Sequence, residues 1–420
     1  MIDPAVVPRL AADVGEALAR TGFEALAPDD RKQLAIATST RVAQEYQLSV
    51  LNSSGLLLDD DQMAELTSAL CDTVLGTAQL GPLLRQGHRY SDFHINGADK
   101  VFAKERGSGR MVALDPIVGS EGELIDLVKK LIRAYAPGEP RFDAGSPAVD
   151  IQLPDGERVH AMRNVVDPPV VLAIRIPDFS LESLDDLIDN DTIEPEMARF
   201  LHAVVEARLN VIVAGGTGSG KTTLLRVLLN EVDPTERIVT IEDLRELHLS
   251  RFPKRNPNVW SAESVKANVD GQGEVTVEYL LRESLRQDPD RIVVGEVRGR
   301  EALEMFKAMS TGNEGSMCSV HARSAANIVP RLIQCIPDRE PDQVCIEIAN
   351  SVDLFVHLTR SANGPRITSI LEVDDHLPET SGVVHTTRLW EGDGVAHPRL
   401  VGRLSANRAT LLADHGWWSG

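Results

Sequence analysis

The chain has 420 residues, 42% of them apolar and 25% charged, which suits a globular protein of two or three domains with ample length for buried cores. Its 43 basic and 63 acidic residues leave a formal net charge of −20, which argues against nucleic-acid binding, a task that needs clustered Lys and Arg. The four cysteines (Cys71, Cys318, Cys335, Cys345) are far apart and form no CxxC pair, against a zinc ribbon or disulfide framework and in keeping with a reducing cytoplasm.

The opening stretch MIDPAVVPRLAADVGEAL lacks the basic start and continuous apolar core of a secretory signal. Residues 1–80 read as a helical region, with apolar residues recurring at three and four spacings in VVPRLAADVGEALARTGFEAL and in MAELTSALCDTVL. Asp59 to Asp61 mark a break between helices. Residues 81–177 change to short alternating runs, FHINGADKVFAKERGSGRMVAL, AVDIQLPDGERVHAM and VVLAIRI, punctuated by turn signals and one helix at GELIDLVKKLIRAYA. That pattern predicts a small α+β domain. Residues 178–193, which take in most of IPDFSLESLDDLIDND, read as a linker leading into a short helix. No apolar run approaches the roughly 20 residues of a bilayer span; PPVVLAI and RIVVGEV are among the most apolar.

From residue 194 to 370 the chain alternates helix and strand, with strands expected at NVIVAG, RIVTIED, RIVVGEV and SMCSVHA. Alternation of this kind predicts an α/β fold with a mostly parallel sheet. Residues 371–420 carry weaker strand patterns and end in a C-terminal extension holding Trp417 and Trp418.

Within the α/β segment, Gly215, Gly216, Thr217, Gly218, Ser219, Gly220, Lys221 and Thr222 satisfy G-x-x-x-x-G-K-[ST], followed by Thr223. An expected strand precedes the motif and an apolar-periodic helix follows it. The glycines let successive backbone N–H groups curl around a phosphate chain at a helix N-terminus. In that setting Lys221 neutralises the outer phosphates and the Thr222 hydroxyl ligates Mg²⁺. No Asn-Lys pair of a guanine signature occurs in the chain, so ATP is the expected nucleotide.

Hydrolysis also requires an acid for the metal and a group to orient water. RIVTIED closes on Glu242 and Asp243, and RIVVGEV carries Glu296. Both sit at strand C-termini, the edge where open parallel sheets bind ligands. His321 ends SMCSVHA, where a neutral imidazole can sense a γ-phosphate.

These segments, in this order, resemble the type II/IV secretion ATPase superfamily, and most closely the tight-adherence (Flp) pilus assembly ATPases. EARLNVIVAGGTGSGKTTLL resembles that family's Walker A region, RIVTIEDLRELHL its aspartate box, LRQDPDRIVVGEVRG its Walker B and TGNEGSMCSVHA its histidine box. The pair Gly295-Glu296 stands where most P-loop enzymes carry an acid that ends the strand. The similarity covers roughly residues 75–360.

The resemblance implies a RecA-like, Mg²⁺-dependent ATPase that works as a hexameric ring on the inner face of the cell membrane. Such rings drive pilus assembly or protein export through a membrane platform protein. It further implies Glu242 as catalytic base, Glu296 as Walker B acid and metal ligand, and His321 as a γ-phosphate contact. Arg158 and Arg175 match arginines of the N-terminal domain that reach nucleotide phosphates. Two departures stand out: Asn313 replaces the usual histidine of TGH, and the tetracysteine element of the type II branch is missing, which favours the pilus or type IV branch.

Overall fold

The computed structural model describes residues 6–26, 28–54, 57–136, 140–267, 271–361, 364–374, 383–394 and 396–418. It divides into two compact units, one running to Asp178 and one from Phe179 onward.

In the first unit, α1 (Val6–Ala19), α2 (Pro28–Ser54) and α3 (Asp60–Val74) close over a core that includes Leu10, Val14, Leu18, Val42, Leu66 and Leu70. The chain break seen in the sequence is a helix cap. Asp59 accepts from the Gln62 N–H at 2.8 Å, and the Gln62 side chain accepts from the Asp59 N–H at 3.1 Å. Two donors that the first turn cannot satisfy are thereby paired. The short α4 (Gly81–Leu84) leads into β1 (Tyr90–Asn96), β2 (Lys100–Glu105) and β3 (Met111–Leu114). After α5 (Glu121–Tyr135) follow β4 (Ala148–Gln152), β5 (Arg158–Arg163) and β6 (Val170–Arg175).

All six strands form one antiparallel sheet in the order β3-β2-β1-β6-β5-β4. Alternate residues, among them Phe93, Ile95, Val159, Leu172 and Ile174, share a core with Leu124, Leu127, Val128 and Leu131 of α5. Burying each such side chain contributes roughly 1.5–3 kcal/mol. The opposite parity leaves Asp92 and Arg158 half-buried and Arg175 exposed. The helical region belongs to the same unit, because Tyr135 Oη donates to the Leu75 carbonyl at 2.8 Å and Arg31 to the Ala134 carbonyl at 3.1 Å.

The second unit opens with α6 (Leu184–Asp189), inside the stretch expected as a linker. Ser183 caps it, and Leu184 and Leu187 are buried in that unit's core. There follow α7 (Pro195–Glu206), β7 (Val211–Gly215), α8 (Lys221–Asn230), β8 (Ile238–Glu242), β9 (Val259–Glu263), α9 (Val277–Ser284) and β10 (Arg291–Val297). Next come α10 (Glu301–Ser310), β11 (Met317–His321), α11 (Ile328–Cys335), α12 (Pro341–Ser351), β12 (Leu354–Ser361) and β13 (Gly364–Val373). The chain finishes with β14 (Thr386–Glu391), β15 (Arg399–Leu400) and α13 (Ala406–Asp414).

These strands build a nine-stranded sheet in the order β15-β14-β13-β12-β7-β11-β10-β8-β9. From β12 to β9 every neighbouring pair is parallel, whereas β13, β14 and β15 pair antiparallel. The sheet expected as mostly parallel is thus mixed. The reason is local: β12 and β13 are joined by a connection too short for a crossover, so only antiparallel pairing is open to them.

The central strands are largely apolar because both faces are covered. In β7, Val211 and Val213 enter one core with Phe200, Leu224 and Leu228, while Ile212 and Ala214 enter the other with Phe306 and Ile348. The segment after residue 370 continues this sheet. Trp390 of β14 packs 4.5 Å from Phe200, and Trp417 lies 5.1 Å from Phe200, both distances between ring centroids. Trp418 is 76% exposed.

Candidate active site

The phosphate-loop sequence forms the turn between β7 and α8. Gly218 and Gly220 adopt left-handed φ angles of 69° and 95°, which a glycine reaches without strain. Gly215 is required by crowding: a Cβ there would lie 2.4 Å from Ser219 Oγ and 2.5 Å from the Leu358 carbonyl oxygen. Lys221 opens α8, and its ammonium donates to the carbonyls of Gly215 at 3.1 Å and Gly216 at 3.0 Å. Burial lowers its pKa from the ordinary value, against the opposing pull of Glu296 and Glu246. Ser219 Oγ is buried without a hydrogen-bond partner among the described residues.

Register brings the remaining groups to the same rim. Gly215 pairs with His321 of β11 on one side and with Leu358 of β12 on the other. Glu242 ends β8, beside β10. It is 3% exposed, and its Oε1 accepts from the N–H groups of Glu246 at 3.0 Å and Leu247 at 3.2 Å. Its Oε2 is buried with no donor among the described residues. Burial pushes this carboxyl up to about 8, outweighing the two N–H donors.

Gly295 explains itself here. A Cβ at that position would come within 2.8 Å of Glu242 Cγ, so the residue before Glu296 must be bare to leave room for the Glu242 side chain. The Gly-Glu pair noted in the sequence is a steric requirement of two adjacent strands.

Glu296 is gripped by Arg298, whose Nε and Nη2 both donate to Oε2, at 2.9 Å and 2.5 Å. The other guanidinium nitrogen of Arg298 reaches Asp243 Oδ2 at 3.2 Å. His321 Nε2 lies 3.3 Å from Glu296 Oε1, yet out of hydrogen-bond alignment, which leaves that buried oxygen without a donor among the described residues. Burial, then the nearby Lys221 charge, lower the His321 pKa, with Glu296 opposing. The ring is therefore neutral at neutral pH.

Of the expected residues, Lys221, Thr222, Glu242, Glu296 and His321 meet at the C-terminal rim of the parallel strands. Arg158 and Arg175 lie in the first unit, where they are cross-strand partners on β5 and β6. Asp92 flanks Arg175 on the far side, on β1.

Asn313 falls elsewhere. Its amide donates to the Pro289 carbonyl at 2.7 Å, and its own carbonyl accepts from Ser316 Oγ at 2.6 Å. Pro289 precedes β10, so Asn313 sits at the opposite end of that strand from Glu296, as a structural tie.

Two residues escaped the sequence reading. Thr222 Oγ1 donates to Glu246 Oε2 at 3.1 Å, so a further acid stands at the hydroxyl expected to face the metal. Arg298 organises Glu296 and Asp243. Each lies within four residues of a singled-out acid, and a search of the strand flanks for charged residues would have found both. For a magnesium ion the donors fit in kind: a hydroxyl, a carboxylate beside it and a buried carboxylate oxygen lacking a donor are hard oxygen ligands, and Mg²⁺ takes few protein ligands while keeping water. A cavity of about 750 Å³ bordered by Val329, Ile333, Phe355 and Leu371 also lies in this unit, but none of the expected site residues lines it.

The chain resembles proteins whose names point one way. A putative conjugal transfer protein of Mycobacterium tuberculosis is 33% identical over 346 residues, 80% of this chain and 94% of that protein. Conjugal transfer protein TrbB of Rhizobium radiobacter is 27% identical over 72% of this chain and 89% of its own length. Protein VirB11 of Agrobacterium fabrum is 30% identical over 64% of this chain and 84% of its own. Among solved structures, the ATPase DotB of Yersinia pseudotuberculosis matches with a TM-score of 0.51 at 17% identity, covering 71% of this chain and 79% of that one. The Legionella pneumophila ATPase DotB matches with a TM-score of 0.50 at 20% identity, over 74% and 78%. Both share the fold. Residues 92–401 match the family described as type II/IV secretion system protein, and the chain belongs to that family.

Proposed function

We propose that the chain is a Mg²⁺-dependent ATPase whose RecA-like second unit drives a hexameric ring. The work it powers is pilus assembly or protein export through a membrane-embedded platform. The observation that carries the reading is the meeting of Lys221, Thr222, Glu242 and Glu296 on one sheet rim, with Gly295 bare so that Glu242 can lie there.

In this reading the loop amides and Lys221 hold the β- and γ-phosphates. Thr222 and Glu296, with Glu246 beside Thr222, hold the metal, which supplies charge neutralisation at the phosphates when bound. Glu242 orients the attacking water and takes its proton. The same burial that keeps its carboxyl protonated at pH 7 makes its deprotonated form a strong base. His321, neutral and next to Glu296, contacts the γ-phosphate and reports its loss. Arg158 and Arg175 present paired guanidinium groups to a phosphate held by the ring, a contact that adds about three to five orders of magnitude when an arginine completes a phosphoryl-transfer site.

The names of the relatives support a type IV conjugation or export machine, and the order of the four boxes supports the tight-adherence pilus branch. The net charge of −20 disfavours DNA as the direct cargo. No helix among the described residues is long and apolar enough to cross a membrane, in keeping with attachment to the cytoplasmic face through a platform protein.

ATP turnover by the assembled protein tests the reading. It is expected to require Mg²⁺ and to collapse in Lys221→Ala and Glu296→Gln. Wild-type turnover no faster than those variants sinks it.

A further inference from the structure

We infer that Arg360, at the tip of the β12–β13 hairpin, is a nucleotide-binding residue that contacts the phosphate chain within its own subunit. The inference rests on the proposal that the loop at residues 215–222 holds a nucleotide.

The hairpin lies along the outside of that loop and touches it at three glycines. The Leu358 carbonyl oxygen is 2.5 Å from where a Gly215 Cβ would be, Pro365 Cβ is 3.0 Å from that of Gly220, and Arg360 Nη1 is 3.3 Å from that of Gly218. Arg360 and Pro365 are cross-strand partners, so one end of the hairpin delivers both. Proline fills space; arginine brings charge beside Gly218.

An exposed arginine on a hairpin is ordinarily solvated or paired with a carboxylate. Arg360 is exposed and has no hydrogen bond or ion pair with the described residues. Its Nη1 instead approaches the left-handed Gly218, φ 69°, in the run of backbone whose N–H groups would converge on a phosphate. Lys221, the loop's own cation, is folded back onto the Gly215 and Gly216 carbonyls. A guanidinium beside Gly218 supplies a second positive charge at the loop, in forked geometry suited to phosphate.

Equilibrium binding of a fluorescent ADP to the intact protein tests this, with displacement by unlabelled ADP and by pyrophosphate, and with melting temperatures measured without ligand. Arg360→Ala is expected to weaken ADP about tenfold and pyrophosphate equally, with an unchanged unliganded melting temperature. Arg360→Lys should recover part of the loss, and the wild-type affinity should fall with added salt more steeply than that of the alanine variant. Should alanine lower the unliganded melting temperature, Arg360→Gln replaces it in the comparison. Alanine-variant affinities within twofold of wild type overturn the inference, as does a loss confined to ADP with pyrophosphate unaffected. If the wild type binds ADP no better than Lys221→Ala, the nucleotide reading itself has failed. If only Lys221→Ala loses binding, that reading stands and Arg360 is excluded.

Discussion

At the N-terminal rim of the parallel strands, Asn210 is saturated. Its side chain donates to the carbonyls of Met309 at 3.1 Å and Ser351 at 2.8 Å and accepts from the Ser316 N–H at 3.0 Å, while its own N–H meets Asp353 at 2.7 Å. At the C-terminal rim, a strand's length away, Ser219, Glu242 and Glu296 each keep a buried oxygen with no partner among the described residues. Both rims bury polar groups under the same two cores. One uses them to fix where strands start; the other holds them in reserve. Unmet hydrogen-bonding capacity is costly in a low-dielectric interior; Arg291 Nη1 at the start of β10 is another such atom, but the gathering of three oxygens at the phosphate-loop edge is physical grounds for placing the chemistry there.

Substitutions on the two rims should therefore separate. The largest effect is expected at the C-terminal rim: Lys221→Ala should lower turnover by about three orders of magnitude or more while leaving the unliganded melting temperature close to wild type. Asn210→Ala should do the reverse. Three buried groups lose their partner at once, so stability should fall by about 3 kcal/mol in denaturant unfolding, with ADP affinity unchanged. If Asn210→Ala also abolishes nucleotide binding, the division between the rims is wrong.

Gly295→Ala probes the boundary between packing and chemistry. The added methyl meets Glu242 at 2.8 Å, so a destabilisation of about 1–3 kcal/mol should accompany a loss of turnover greater than about tenfold. Loss of stability with full activity would show that Glu242 does not need its present position.

The smallest effect is a pH dependence. The Glu242 carboxyl holds its proton up to about pH 8 when folded and to about 4.5 when unfolded, so the folded state binds more protons across that window and stability falls as pH rises through it. Glu242→Gln removes this contribution, and at pH 9 the variant should melt about 2 °C above wild type. A variant that melts below wild type at that pH shows that the buried carboxylate is better compensated than its surroundings indicate.

The sequence carried the cradle itself, because a strand, a glycine-rich turn and a helix are contiguous and their chemistry is local. Glu242, Glu296 and His321 were legible for a related reason: each ends an apolar run, and parallel strands share one rim. What stayed hidden depends on partners distant in the chain. Asn313 looked like an altered catalytic box and is a tie to Pro289, 24 positions away. Nothing local marks Asn210, whose partners are about a hundred residues or more downstream. The residues after 370 looked like an appendage, since weak alternation does not reveal that β14 finds β13 or that Trp390 and Trp417 meet Phe200. Arg360 belongs with these, because a hairpin tip reveals nothing of the loop it leans on.

Strand β13 has a consequence for how the molecule can be handled. One end places Pro365 against Gly220; near the other, Glu372, 1% exposed, is clamped by Arg408 of α13 at 3.1 Å and by the Ser405 N–H at 3.0 Å. A single rigid rod thus runs from the final helix to the back of the phosphate cradle. Truncating the chain before Arg408, or straining α13 with a bulky fusion, would strand a carboxylate at the far end of that rod and loosen the wall behind the glycines.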